Sequence, residues 1–166
     1  MISIIVAAAK KGVIGKDGKM PWRLPAESAY FRQTTLGHPV ITGRKNYEAM
    51  GRPLPERLNV VITRQTDYKV PEGVIVVNSL QDALNLPQVK KESEVFIIGG
   101  AQIYHEAMPL ADKLYLTDVH ADIDGDTFFV YNPKDWQLEW SEHHEADTEN
   151  KYAFTIKRLA RKNKVQ

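Results

Sequence analysis

The stretch Ile2-Ser3-Ile4-Ile5-Val6-Ala7-Ala8 is an apolar run rich in β-branched residues, the pattern of a strand covered on both faces. Working outward, Gly12, Gly15, Asp17-Gly18 and Pro21 make residues 9–24 a long loop, and long loops inside compact domains usually carry function. A helix follows over 25–36, ending before Gly37. Pro39-Val-Ile-Thr42 reads as a strand, Gly43-Arg44 opens a short helix containing Tyr47 and Met50, and strands follow at 58–63 and 74–77. Ser79 caps a helix over 80–86 that Pro87 closes. Glu94-Val-Phe-Ile-Ile98 runs into Gly99-Gly100 and a helix over 101–108, and 113–119 is a strand. The last third turns to β at 127–129, 137–142 and 152–161. Helices alternate with strands early and stop late. The expected fold is therefore α/β: one domain over residues 1–166, a mixed, mostly parallel sheet of about eight strands with an antiparallel C-terminal edge, and about four flanking helices.

Composition narrows the function. The 166 residues are 43% hydrophobic and 26% charged, and 22 basic against 21 acidic side chains leave a formal charge of +1. That balance argues against nucleic-acid or membrane-surface binding driven by bulk electrostatics. The absence of cysteine excludes disulfides, thiolate metal sites and thiol nucleophiles. The apolar start is cut short by Lys10-Lys11, so a secretory signal or membrane span is not expected and a cytoplasmic protein is. The five histidines show no metal-ligand spacing with carboxylates, and no nucleophile elbow occurs. The basic tail from Arg158 to Lys164 reads as a solvated chain end.

Met20-Pro21-Trp22-Arg23-Leu24-Pro25-Ala26-Glu27 leads into the first helix. Helical spacing puts Glu27 on one face with Tyr30, Phe31 and Thr34. Pro25 suits the first helical position, so Leu24 becomes the N-cap and a capping box lacks its hydroxyl. Two readings stand for Glu27: a first-turn charge favoured by the helix dipole, or a carboxylate held in an apolar pocket for a ligand that hydrogen-bonds to it.

Two segments look like anion sites. Thr42-Gly43-Arg44-Lys45-Asn46 and Ile97-Ile98-Gly99-Gly100-Ala101-Gln102 each take a strand through glycine into a helix N-terminus. Thr63-Arg64 adds a cation at a third strand end. Neither glycine segment is a Rossmann fingerprint or a P-loop. Together they suit a phosphorylated dinucleotide lying across the carboxyl edge of an open sheet. One carboxylate and no metal or nucleophile then point to hydride transfer from a bound cofactor.

The chain resembles the short bacterial form of the dihydrofolate reductase family. The matching pieces are Val13-Ile14-Gly15, Met20-Pro21-Trp22-Arg23-Leu24-Pro25, Gly43-Arg44-Lys45, Gly51-Arg52-Pro53-Leu54-Pro55, Ile98-Gly99-Gly100-Ala101 and Gly125-Asp126-Thr127-Phe128, in family order and spacing. The resemblance implies NADPH-dependent reduction of 7,8-dihydrofolate in a monomer whose partners are small molecules. Glu27 matches the pterin carboxylate, Thr117 the threonine that hydrogen-bonds it, and Trp22 the indole that holds a water near the pterin, with Met20 beside them on the mobile loop. Ile5, Ala7, Ser28, Phe31, Met50, Leu54 and Ile98 match the substrate slot, and Arg57 the arginine that pairs with the substrate's glutamate α-carboxylate. The resemblance implies a cofactor surface of Ala7, Ile14, Gly15, Gly43, Arg44, Lys45, Asn46, Ile98, Ala101, Gln102, Ile103 and Tyr104. Thr63 and Arg64 join Arg44 around the 2′-phosphate, and Gly99-Gly100 matches a dipeptide with a cis peptide bond.

Departures from the family pattern are Asn46 for Thr, Ala49 for Ser, Ser28 for Leu, Gln102 for Arg and Val130 for Pro. Ser28 loosens the apolar grip on the aminobenzoyl ring, and Arg64 compensates for Gln102. Two alternatives are weighed. The pyrimidine reductase of riboflavin synthesis shares the fold, but Trp22, Glu27 and Arg57 together favour folate. A non-enzymatic nucleotide-binding module calls for a broken catalytic set, and this set is intact.

Overall fold

The run at Ile2–Ala8 forms β1, near the middle of an eight-stranded sheet in a computed structural model that describes residues 1–162. Then follow β2 (Val13–Gly15), α1 (Pro25–Thr35), β3 (Val40–Gly43), α2 (Arg44–Met50), β4 (Asn59–Ile62), β5 (Ile75–Val77), α3 (Leu80–Asn85) and α4 (Pro87–Lys90). The rest is β6 (Val95–Gly99), α5 (Ala101–Ala107), β7 (Lys113–Val119), β8 (Thr127–Phe128), β9 (Trp136–His144) and β10 (Phe154–Arg161). The sheet order is β5-β4-β3-β6-β1-β7-β10-β9. The first six strands pair in parallel, and β10 and β9 add an antiparallel edge.

Alternation along β1 assigns its two faces. Ile4, Val6 and Ala8 enter the large core under α3 and α5, whereas Ile5 and Ala7 pack in two smaller clusters on the α1 side. In parallel register Ile4 lies opposite Ile97, and Ala7 opposite Thr117. The residues expected in the site therefore gather at the carboxyl ends of adjacent strands, where open α/β sheets bind ligands.

Three details differ from the sequence reading. Pro87 does not close a helix: Leu86 ends α3, and Pro87 takes the first position of a further short helix, making five α-helices among the described residues. The loop 9–24 contains β2, which pairs with β8 in a second, two-stranded sheet. Gly12 shows why: at φ 81° its carbonyl receives the Phe129 N–H at 2.7 Å, and a Cβ there would stand 2.4 Å from the Phe129 oxygen. The basic segment from Arg158 is not a solvated end as far as Arg161. Both arginines lie in β10 over the rings of Trp140 and Trp136, and Arg161 Nε donates to the Ala111 carbonyl at 2.8 Å. The remainder of that segment, up to Lys164, extends beyond the described residues.

The missing N-cap on α1 is supplied from far along the chain. Leu24 offers no side-chain cap, but Asn150, 5% exposed, accepts the Ala26 N–H at 3.0 Å through Oδ1. Its amide donates to Asp147 Oδ1 at 3.0 Å, and that oxygen also accepts the Asn150 and Glu149 N–H groups. Asn150→Ala should cost about 1–2 kcal/mol of stability, read as a lower urea midpoint at unchanged m-value; an unchanged midpoint would show that the cap is dispensable.

Candidate active site

Glu27 sits in the first turn of α1, 7% exposed. It makes no salt bridge among the described residues. Burial alone pushes its carboxyl up from the ordinary 4.5 to about 7. Tyr104, buried in α5, is held above its ordinary value by burial, with the Glu27 charge adding to the shift; its hydroxyl donates to the Ile5 carbonyl at 2.8 Å. Of the two sequence readings, the pocketed carboxylate is the one the burial supports.

The apolar positions converge around it. Ile5 and Ile98 share a cluster with Val40, Phe96 and Tyr115, against which Tyr30, Phe31, Met50 and Leu54 pack half-buried. Trp22 lies in the neighbouring cluster with Leu24, Phe154 and Ile156, and Ala7 and Tyr30 pack against it. The indole Nε1 of Trp22 is buried and donates to no acceptor among the described residues. Thr117 is buried on β7, opposite Ala7. The expected bond from Thr117 to Glu27 is not among the hydrogen bonds of the structure. Met20 is 59% exposed on its loop, and Ser28 is exposed on α1.

At the mouth, Arg57 is tied by its own protein. Nε donates to Thr35 Oγ1 at 3.0 Å, Nη1 to the Pro55 carbonyl and Nη2 to the Arg32 carbonyl at 2.6 Å. Asn59, 3% exposed, staples the preceding turn: its amide donates to the Leu54 and Arg57 carbonyls, and its oxygen accepts the Leu54 N–H.

The two strand-to-helix junctions lie side by side. A Cβ on Gly43 would come 3.9 Å from the Gly100 nitrogen, and one on Gly100 would meet nothing within 4 Å. The backbone at Gly100 is open to close approach, the property a pyrophosphate-bearing group requires, whereas Ile103 crowds Gly43 and the Tyr104 ring crowds Gly99. The Gly99–Gly100 peptide is cis. Asn46 donates to Thr42 Oγ1 at 2.9 Å and to the Ile98 carbonyl at 3.3 Å, and Thr42 donates to the Gly99 carbonyl at 3.1 Å. Arg44 is turned toward Glu48, at 3.1 and 3.2 Å from its two oxygens. Lys45, Arg64 and Gln102 are exposed nearby in sequence to these ends, and Thr63 is buried. Ile103 and Tyr104 belong to the large core, with Ile14 packed against it, and Gly15 stands close to Thr127.

Sequence reasoning missed Thr35, Asn59 and Asn150, and read Thr42 only as the start of an anion-site segment, without its bond to the Gly99 carbonyl. A signal existed for two of them: Thr42 and Asn59 interrupt apolar strand runs, and a polar side chain there must find partners.

Fold and site define an α/β protein built to hold a nucleotide-bearing cofactor against a carboxylate-containing apolar slot. The family model described as dihydrofolate reductase matches residues 1–161. Relatives include dihydrofolate reductases of Haemophilus influenzae, 47% identical over 96% of this chain and 98% of that one, and of Bacillus subtilis, 42% identical over 98% and 96%. A solved structure of Enterococcus faecalis dihydrofolate reductase complexed with NADP(H) and RAB-propyl superposes with a TM-score of 0.90 at 36% identity, covering 98% of this chain and 97% of that one. The chain belongs to the dihydrofolate reductase family.

The raised Glu27 value carries a stability consequence. Between pH 4.5 and about 7 the unfolded chain releases this proton before the folded one does, so stability falls as pH rises, by up to about 3 kcal/mol. Glu27→Gln should match the parent near the lower limit and be the more stable above the upper one, measured as urea midpoints without ligands. Parallel pH profiles for the two proteins would contradict this.

Proposed function

We propose that this chain reduces 7,8-dihydrofolate to 5,6,7,8-tetrahydrofolate with NADPH, using the residues assembled around Glu27. The observation that carries the reading is a carboxylate buried without a counter-charge among the described residues, on the helix whose Tyr30 and Phe31 pack against the Ile5–Ile98 cluster. When bound, NADPH supplies the hydride that goes to pterin C6, while N5 takes a proton from solvent.

Glu27 accepts two parallel hydrogen bonds, from the pterin N3–H and 2-amino group, which fixes the ring's orientation. Its negative charge favours the protonated pterin, so the proton need not be its own. Trp22 offers its indole N–H to a water beside the pterin, and Thr117 supports the carboxylate once the ligand has ordered it. Ile5, Ala7, Phe31, Met50, Leu54 and Ile98 exclude bulk water from the reacting atoms, which strengthens each of these interactions.

For the cofactor, Gly43, Gly99 and Gly100 meet the pyrophosphate, and the backbone at Gly100 is open to its close approach. Arg44, Thr63 and Arg64 meet the 2′-phosphate, Arg44 leaving Glu48 to do so. This reading takes the chain as one domain acting as a monomer in the cytoplasm on small molecules, with no nucleic-acid partner.

The direct test follows NADPH absorbance with dihydrofolate and then with a pyrimidine nucleotide substrate; oxidation with the second alone would overturn the proposal. Glu27→Gln should keep NADPH affinity and lower single-turnover hydride transfer by about 10²–10⁴-fold, the loss growing with pH. Neutralising Arg44 and Arg64 together should weaken NADPH by about tenfold or more and leave NADH nearly unchanged in fluorescence titrations. Equal losses would show that neither arginine reads the 2′-phosphate.

A further inference from the structure

We infer that Thr35 is a positioning residue that aims Arg57 at the substrate's carboxylate, an inference that rests on the reading of Arg57 given above. A guanidinium carries five N–H donors in a rigid plane. In this structure three go to Thr35, Pro55 and Arg32. One N–H remains on each terminal nitrogen, the pair a carboxylate accepts in parallel.

The three anchors are not equivalent. Pro55 and Arg32 contribute backbone carbonyls, whose places are set by the stapled turn and by α1. Thr35 contributes the one side chain, and it meets Nε, the nitrogen about which the guanidinium plane swings. Its hydroxyl is fully buried and donates its proton to the Phe31 carbonyl at 2.9 Å, so a lone pair is left facing Arg57. Water cannot reach this position to substitute for the hydroxyl. Phe31 packs against the slot cluster. The last turn of α1 therefore sets, through one hydroxyl, the relation between the aromatic wall and the cation at the mouth.

The test compares dihydrofolate with dihydropteroate, which lacks the glutamate. Thr35→Val, nearly isosteric, should raise KM for dihydrofolate about tenfold with kcat and NADPH affinity unchanged, and leave KM for dihydropteroate as in the parent. Thr35→Ser should restore the parent values. Equal rises for the two substrates would mean that Thr35 only stabilises the fold and would overturn the inference. Arg57→Gln serves as reference. If it discriminates between the substrates and Thr35→Val does not, the positioning role alone fails; if it does not discriminate, the carboxylate reading of Arg57 fails and the inference with it. Should Thr35→Val not fold, NMR of the parent decides: the Arg57 Nε–H should be protected from solvent exchange without ligands, and rapid exchange would overturn the inference.

Discussion

Parallel pairing of β1 between β6 and β7 is the constraint from which the rest of the molecule follows. A strand hydrogen-bonded on both edges and buried on both faces has no freedom of register, because a one-residue slip would exchange its two sets of side chains. That register sends Ile4, Val6 and Ala8 into one core and leaves Ile5 and Ala7 on the other side, next to Thr117 and Ile98. The slot is thus one face of the same strand that organises the core.

Within that frame the chain leaves one polar group poorly solvated. Glu27 has no ionic partner among the described residues, and burial raises its pKa. Proteins usually avoid this arrangement, because a desolvated charge is costly unless paired. Under the proposed function the missing partner gives the slot its selectivity: a guest bearing two adjacent donors would relieve the desolvation, and one lacking them would not. The segment from Lys10 to Lys19 is tied to both ends of β8 by the Gly12–Phe129 and Asp17–Asp126 hydrogen bonds.

Much of this was legible in the residues. The both-faces-buried run, the glycine junctions and the aromatic stripe with Glu27 each follow from local spacing, and the structure places them as read. What escaped was of another kind. Pro87 has the same local signature whether it ends one helix or begins the next, and only the Leu86 geometry distinguishes them. The missing cap at Leu24 was visible, but its replacement lies 124 residues away, and no local pattern encodes that pairing. Asn59 and Thr42 could have been flagged as polar residues in apolar strands, though not assigned partners. Of the site residues, Arg57 was readable only through family resemblance; its anchoring by Thr35 depends on a tertiary contact across 22 positions.

Asn150 has a consequence for how the protein comes into being. The helix that carries Glu27 is synthesised well before the loop that caps its entry, which lies between β9 and β10. A chain still under synthesis can form the early parallel pairs, but it lacks both the cap and the β10 strand that flanks β7. The pocket therefore matures only once Asn150 and β10 have emerged, and a nascent chain stopped before them would have no finished site in which to trap a ligand.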